Sequence, residues 1–147
     1  MRTTRRPVVT KAAIAPKTPE WRHQGAAVTA LRRARDKGWP IRIAGDMNAA
    51  RRSPRERGLA AATGMNAGEP DLRVYITGPR LLLIEYKTKQ GEISVDQKQA
   101  HAELKALGFE VIVIQAATPE EAAELTVALV AARIPANDNT QPVDVAA

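Results

Sequence analysis

The chain has 147 residues, enough for one domain, with 44% hydrophobic residues but only 3% aromatic, so its core must be built from Leu, Ile, Val and Ala. A formal net charge of +6 points to a polyanionic partner, nucleic acid before an anionic membrane surface, and the scarcity of aromatics argues against a stacking platform for single strands. With no cysteine, disulfides, thiolate nucleophiles and Cys-type zinc sites are excluded, in keeping with a cytoplasmic protein.

Met1 to Lys17 is basic, lacks acids and is broken by Pro7 and Pro16, so it reads as a disordered arm over residues 1–17. Thr18-Pro19-Glu20 then opens a helix, with Thr18 as cap and Pro at its first position. That helix runs to about Asp36 and buries a stripe of Ala27, Ala30, Leu31 and Ala34. Glu20 and Gln24 prolong the stripe toward the N-terminus, where polar groups make sense if the helix end faces a cleft.

Pro40 to Ala44 alternates and predicts a short strand. Ser53-Pro54-Arg55-Glu56 is a capping box opening a second helix that Gly64 closes. Leu72 to Thr77 and Arg80 to Lys87 predict two strands joined at Gly78-Pro79 in a hairpin. Ser94-Val95-Asp96-Gln97 is another capping box, and its helix ends before Gly108. Phe109 to Gln115 is a buried strand, and Thr118-Pro119-Glu120-Glu121 caps a last helix that fades near Arg133. The order predicts a mixed sheet covered by helices over residues 18–133, followed by a disordered polar tail, 134–147. The apolar stretch from Val127 to Ala132 is too short to span a bilayer.

Glu85 and Lys87 end an apolar strand and, at period two, share a face with Leu81 and Leu83. Alone the pair reads as a charged strand end. Asp71, just ahead of the partner strand, changes that reading, because two converging carboxylates suit a hard cation such as Mg²⁺. Such a site hydrolyses phosphodiesters, with Lys87 stabilising charge on the phosphorus. The reading makes a demand on the hairpin. A two-residue turn at Gly78-Pro79 sets Asp71 opposite Tyr86 and turns it away from Glu85. An odd-numbered loop or a bulge restores a common face, with Asp71 expected opposite Lys87.

Gly68-x-Pro70-Asp71-Leu72, Ile84-Glu85-Tyr86-Lys87 and Gly91-x-Ile93-Ser94-x-x-Gln97, followed by Leu104, Gly108 and Val111-Ile112-Val113, resemble a VRR-NUC domain of the PD-(D/E)xK nuclease superfamily, in its stand-alone phage or bacterial form. Glu20 and Gln24, and Asn48 with Arg51 and Arg52, are similar to further family features. Glu69 and Tyr86 depart from it, standing where apolar residues are usual. The resemblance implies an α/β restriction-endonuclease-like fold, a mixed central sheet flanked by helices. It also implies a Mg²⁺- or Mn²⁺-dependent DNA endonuclease, acting as a homodimer on DNA that includes branched or four-way-junction forms. Asp71 and Glu85 are then metal ligands with the backbone carbonyl of Tyr86 and with Glu20. Lys87 is the catalytic lysine, and Gln97 is an active-site residue. Arg51, Arg52, Lys89 and Lys98 are expected to meet the nucleic acid. His101, one turn beyond Gln97, is read as a solvated or structural histidine, and His23 as unconnected to any site. The competing reading is a nucleic-acid-binding domain that keeps the nuclease fold without catalysis.

Overall fold

The computed structural model describes residues 18–46 and 52–136. The expected arm over 1–17, Asn48, Arg51 and most of the expected tail lie outside the described residues. The elements follow the predicted order: α1 (Glu20–Asp36), β1 (Ile41–Gly45), α2 (Pro54–Ala62), β2 (Leu72–Ile76), β3 (Arg80–Thr88), α3 (Val95–Ala106), β4 (Val111–Ala116) and α4 (Pro119–Ala131). Among the described residues no helix is long and apolar enough to cross a membrane.

The four strands form one mixed sheet in the order β1-β2-β3-β4, as expected of this α/β sequence. β1, β2 and β3 are antiparallel, and β4 joins β3 in parallel through the α3 crossover. The alternation of β3 divides its side chains between two faces. Leu82, Ile84 and Tyr86 enter the core with Leu72, Val74, Ile76 and Ile114, and α1 and α4 cover them with Ala27, Leu31, Ala34, Ala122 and Val130. Glu85 and Lys87 occupy the opposite face, as does Leu83, which is also buried. Leu81, expected deeper in the sheet, is 38% exposed toward the hairpin end of that face.

Helix starts follow their caps closely, with two corrections. The Ser53–Glu56 and Ser94–Gln97 capping boxes are both complete. Thr18 does not cap α1; Pro19 takes the cap position with no side-chain cap bond. Thr118 caps α4, but Glu121 reaches past it to the backbone N–H of Ala117. In α1 the buried stripe is His23, Ala27, Leu31 and Ala34, with Ala30 only partly buried. His23, set aside in the sequence, is fully buried, and its Nε2 lies 2.9 Å from the Ala116 carbonyl oxygen. Its spacing of four from Ala27 carried that information, and its polarity hid it.

One glycine is indispensable to the shape of the site. Gly68 has φ of 81°, and a β-carbon there would collide with the Asp96 carbonyl and stand 2.8 Å from the Gln97 nitrogen. The segment leading to Asp71 is thereby pressed onto the first turn of α3. Gly68→Ala is expected to cost at least about 1–2 kcal/mol from the left-handed backbone alone, with the backbone collision added. A urea midpoint equal to wild type would show that the segment simply moves aside.

Candidate metal centre

The hairpin loop decides whether the acids meet. Ile76 pairs with Arg80, so the loop is the three residues Thr77, Gly78 and Pro79. This odd count puts Asp71 on the face of Glu85, the condition the site required. The partner is corrected by two residues: continuing the register one step past Leu72↔Ile84 sets Asp71 opposite Glu85 itself, not Lys87. A loop of five would be needed for the Lys87 pairing.

Asp71 sits just outside β2 and is held there by backbone. Its Oδ2 accepts the Tyr86 N–H at 2.8 Å, and its carbonyl accepts Gln24 Nε2 at 2.9 Å and the Asp46 N–H at 2.9 Å. Gln24, the polar extension of the α1 stripe, thus braces the Asp71 backbone. A strand residue sends its N–H and C=O to the same edge. The Tyr86 carbonyl therefore leaves β3 on the Asp71 side, while its ring lies in the core with the hydroxyl 2.8 Å from Thr126 Oγ1.

Glu85 is 1% exposed and Lys87 is 6% exposed, a burial that excludes an ordinary surface ion pair. Glu85 Oε1 accepts from Gln97 Nε2 and lies 3.6 Å from Lys87 Nζ. Lys87 Nζ also lies 3.2 Å from Glu20 Oε2. Gln97 is aimed by its own cap: its Oε1 accepts the Ser94 N–H at 2.9 Å, leaving its amide nitrogen to face Glu85. Glu20 enters the cleft as expected, and the contact its carboxylate makes there is with Lys87.

Burial pushes the Glu85 carboxyl up to about 8, and the neighbouring Asp71 charge adds to the rise against the pull of Lys87. Burial also raises Asp71, opposed by the Tyr86 N–H. Two acids in one dry site cannot both ionise cheaply without a cation between them. His101, read from the sequence as solvated or structural, reaches this centre too. Its ring is buried enough to lower its basicity, Lys87 adding to the effect, and its Nε2 stands 3.9 Å from Glu85 Oε2. The signal was present in the sequence: His101 follows Gln97 by four, on one helix face.

A divalent ion fits these residues. Glu85 Oε2 is buried without a hydrogen-bond partner, an acceptor that costs about 1–3 kcal/mol if left unmet. Among the described residues no group of three His, Asp or Glu side chains is arranged to hold an ion. Asp71, Glu85 and the Tyr86 carbonyl would offer two carboxylates and a carbonyl, the oxygen-only kind of donor set that Mg²⁺ takes alongside water.

The centre opens into a cleft of about 540 Å³ between α2 and α3. Glu20, Asp71 and Glu85 line its floor, Arg52 and Arg57 one wall, and Ser94, Asp96 and Gln97 the other. Of the expected nucleic-acid contacts, Arg52 is at the cleft. Lys89 lies outside it, 3.9 Å from Glu121, and Lys98 is exposed on α3 beyond the lining.

No family model and no curated protein matches the chain. Two solved structures are similar to it. A structure described as a VRR_NUC domain is 19% identical, with a TM-score of 0.45 over 76% of this chain and 92% of its own. A second, described as a VRR_NUC domain protein, is 17% identical, with a TM-score of 0.48 over 74% of this chain and 86% of its own.

Proposed function

We propose that the chain is a Mg²⁺- or Mn²⁺-dependent DNA endonuclease whose centre is Asp71, Glu85 and Lys87. The observation that carries this reading is that the buried Glu85, with one oxygen unpartnered, and Asp71 meet at the floor of a cleft with arginines on its wall, beside the buried Lys87 ammonium. A module that only binds a polyanion gains nothing from acids placed there. The ion, held by Asp71, Glu85 and the Tyr86 carbonyl, supplies Lewis-acid stabilisation of a phosphoryl oxygen and activation of a water.

The chain's own residues do the rest. Lys87, steadied between Glu20 and Glu85, presents positive charge where the phosphorus gathers negative charge. Gln97 fixes the orientation of Glu85 through its Nε2. Arg52 and Arg57 grip phosphates flanking the scissile one. Lys89 and Lys98, outside the cleft, extend the grip along the strand. Plasmid, linear and four-way-junction DNA incubated with Mg²⁺, Mn²⁺ or EDTA test the reading. Cutting in metal and none in EDTA is the expected result; binding without cutting in any metal favours the non-catalytic alternative. The finer reading, paired cuts in branched DNA by a homodimer, calls for two centres per particle. A strict monomer by light scattering, or junctions cut no better than duplex, would remove it.

Arg57 tests the grip separately. Its guanidinium donates to the Arg52 carbonyl at 3.3 Å and shares the cleft wall with Arg52. Arg57→Ala is expected to weaken DNA binding and to lower the slope of log K against log salt by about one. An unchanged slope would make Arg57 a solvated helix residue.

A further inference from the structure

Two buried polar atoms in this molecule face each other without a bond. Glu85 Oε2 and His101 Nε2 are both buried and have no hydrogen-bond partner, and they stand 3.9 Å apart. Such a separation is too long for a hydrogen bond, which closes at about 2.7–3.2 Å between nitrogen and oxygen. Leaving both atoms unmet forfeits their hydration, whereas one bond satisfies both. A shift of about 1 Å closes the gap, and active-site hydrogen bonds commonly tighten by this much when the complex forms.

Gln97 and His101 are four residues apart and project from one face of α3. Gln97 already donates to Glu85 Oε1. The same helix therefore holds a donor against each oxygen of this carboxylate. A carboxylate offers about four lone-pair sites. Gln97 and Lys87 lie at Oε1, and the imidazole faces Oε2. His101 is not among the residues that line the cleft.

We propose that His101 is a positioning residue for the metal centre: its Nε2–H donates to Glu85 Oε2 and, with Gln97, locks the carboxylate in the orientation that binds the ion. This rests on Glu85 being a metal ligand. Partners of this kind behind a ligating carboxylate typically change metal affinity by about 10–100-fold when removed.

Direct Mn²⁺ binding to the full chain, followed by calorimetry and by electron spin resonance, tests it. His101→Leu is expected to weaken Mn²⁺ binding by about 10–100-fold. Cleavage should recover at saturating Mn²⁺ with an unchanged KM for DNA. His101→Gln, whose amide nitrogen still donates, should bind Mn²⁺ within about threefold of wild type, on the scale of that same effect. Spin-echo modulation of bound Mn²⁺ should show no directly coordinated nitrogen. Wild-type affinity in the Leu variant overturns the proposal, and so does failure of Gln to rescue. A directly coordinated nitrogen that disappears in the Leu variant would make His101 a ligand instead. Glu85→Gln separates this proposal from the one beneath it. If that variant binds Mn²⁺ as wild type does, the metal centre itself is misplaced; if it loses binding while His101→Leu does not, only the role of His101 falls.

Discussion

Lys87→Met is expected to bind DNA and metal but to cleave roughly 10²–10³-fold more slowly, the loss typical of one transition-state charge contact. Methionine keeps most of the buried stem and deletes the ammonium that stands 3.2 Å from Glu20 and 3.6 Å from Glu85. Asp71→Asn should fail differently. Asparagine still accepts the Tyr86 N–H, so the segment stays in place, but one of two negative ligands is gone. Its cleavage should vanish together with tight Mg²⁺ binding, and high Mn²⁺ should recover part of it. Single-turnover cleavage and metal titration on both variants separate rate from affinity. Lys87→Met cutting at the wild-type rate would sink the catalytic assignment.

Removing the metal should make stability depend on pH with a definite sign. An unfolded glutamate titrates near 4.5, whereas Glu85 in the folded chain titrates near 8. Between those values the folded chain holds a proton that the unfolded chain has released. Stability of the metal-free protein therefore falls as pH rises from about 4.5 and levels off above about 8. Asp71, also raised, adds a loss of the same sign. Mg²⁺ demands the ionised form, so its binding expels the proton. Apparent affinity should climb by about tenfold per pH unit within that window, and added Mg²⁺ should raise Tm more at pH 8 than at pH 5. Calorimetry in buffers of different ionisation enthalpy counts the proton directly. A metal affinity flat from pH 5.5 to 8 would show that the acids are already ionised.

Much of this centre was written locally. The alternation of β3 separates Ile84 and Tyr86 from Glu85 and Lys87 in a single strand, and period two alone assigns the faces. The box at Ser94 announced both where α3 starts and which way Gln97 is held. What escaped was decided by tertiary contact. Nothing in Thr77-Gly78-Pro79 fixes whether two or three residues turn the hairpin, yet that count moves Asp71 between faces. His101 and His23 were undervalued for a related reason. A histidine's burial depends on which backbone or carboxylate stands opposite it, the Ala116 carbonyl for one and Glu85 for the other, and neither is near in sequence.

The helix α2 carries one wall of the cleft and yet buries none of its own residues. Core packing therefore places few restrictions on its sequence, while its Arg57 lines the cleft. This makes α2 an exchangeable part. A library randomised over the residues of α2 other than Glu56, so that the Ser53–Glu56 cap is retained, should fold almost throughout and differ chiefly in which DNA is gripped. On the proposed function, selectivity in this molecule can be rewritten by substitution without touching the strand that carries Glu85 and Lys87.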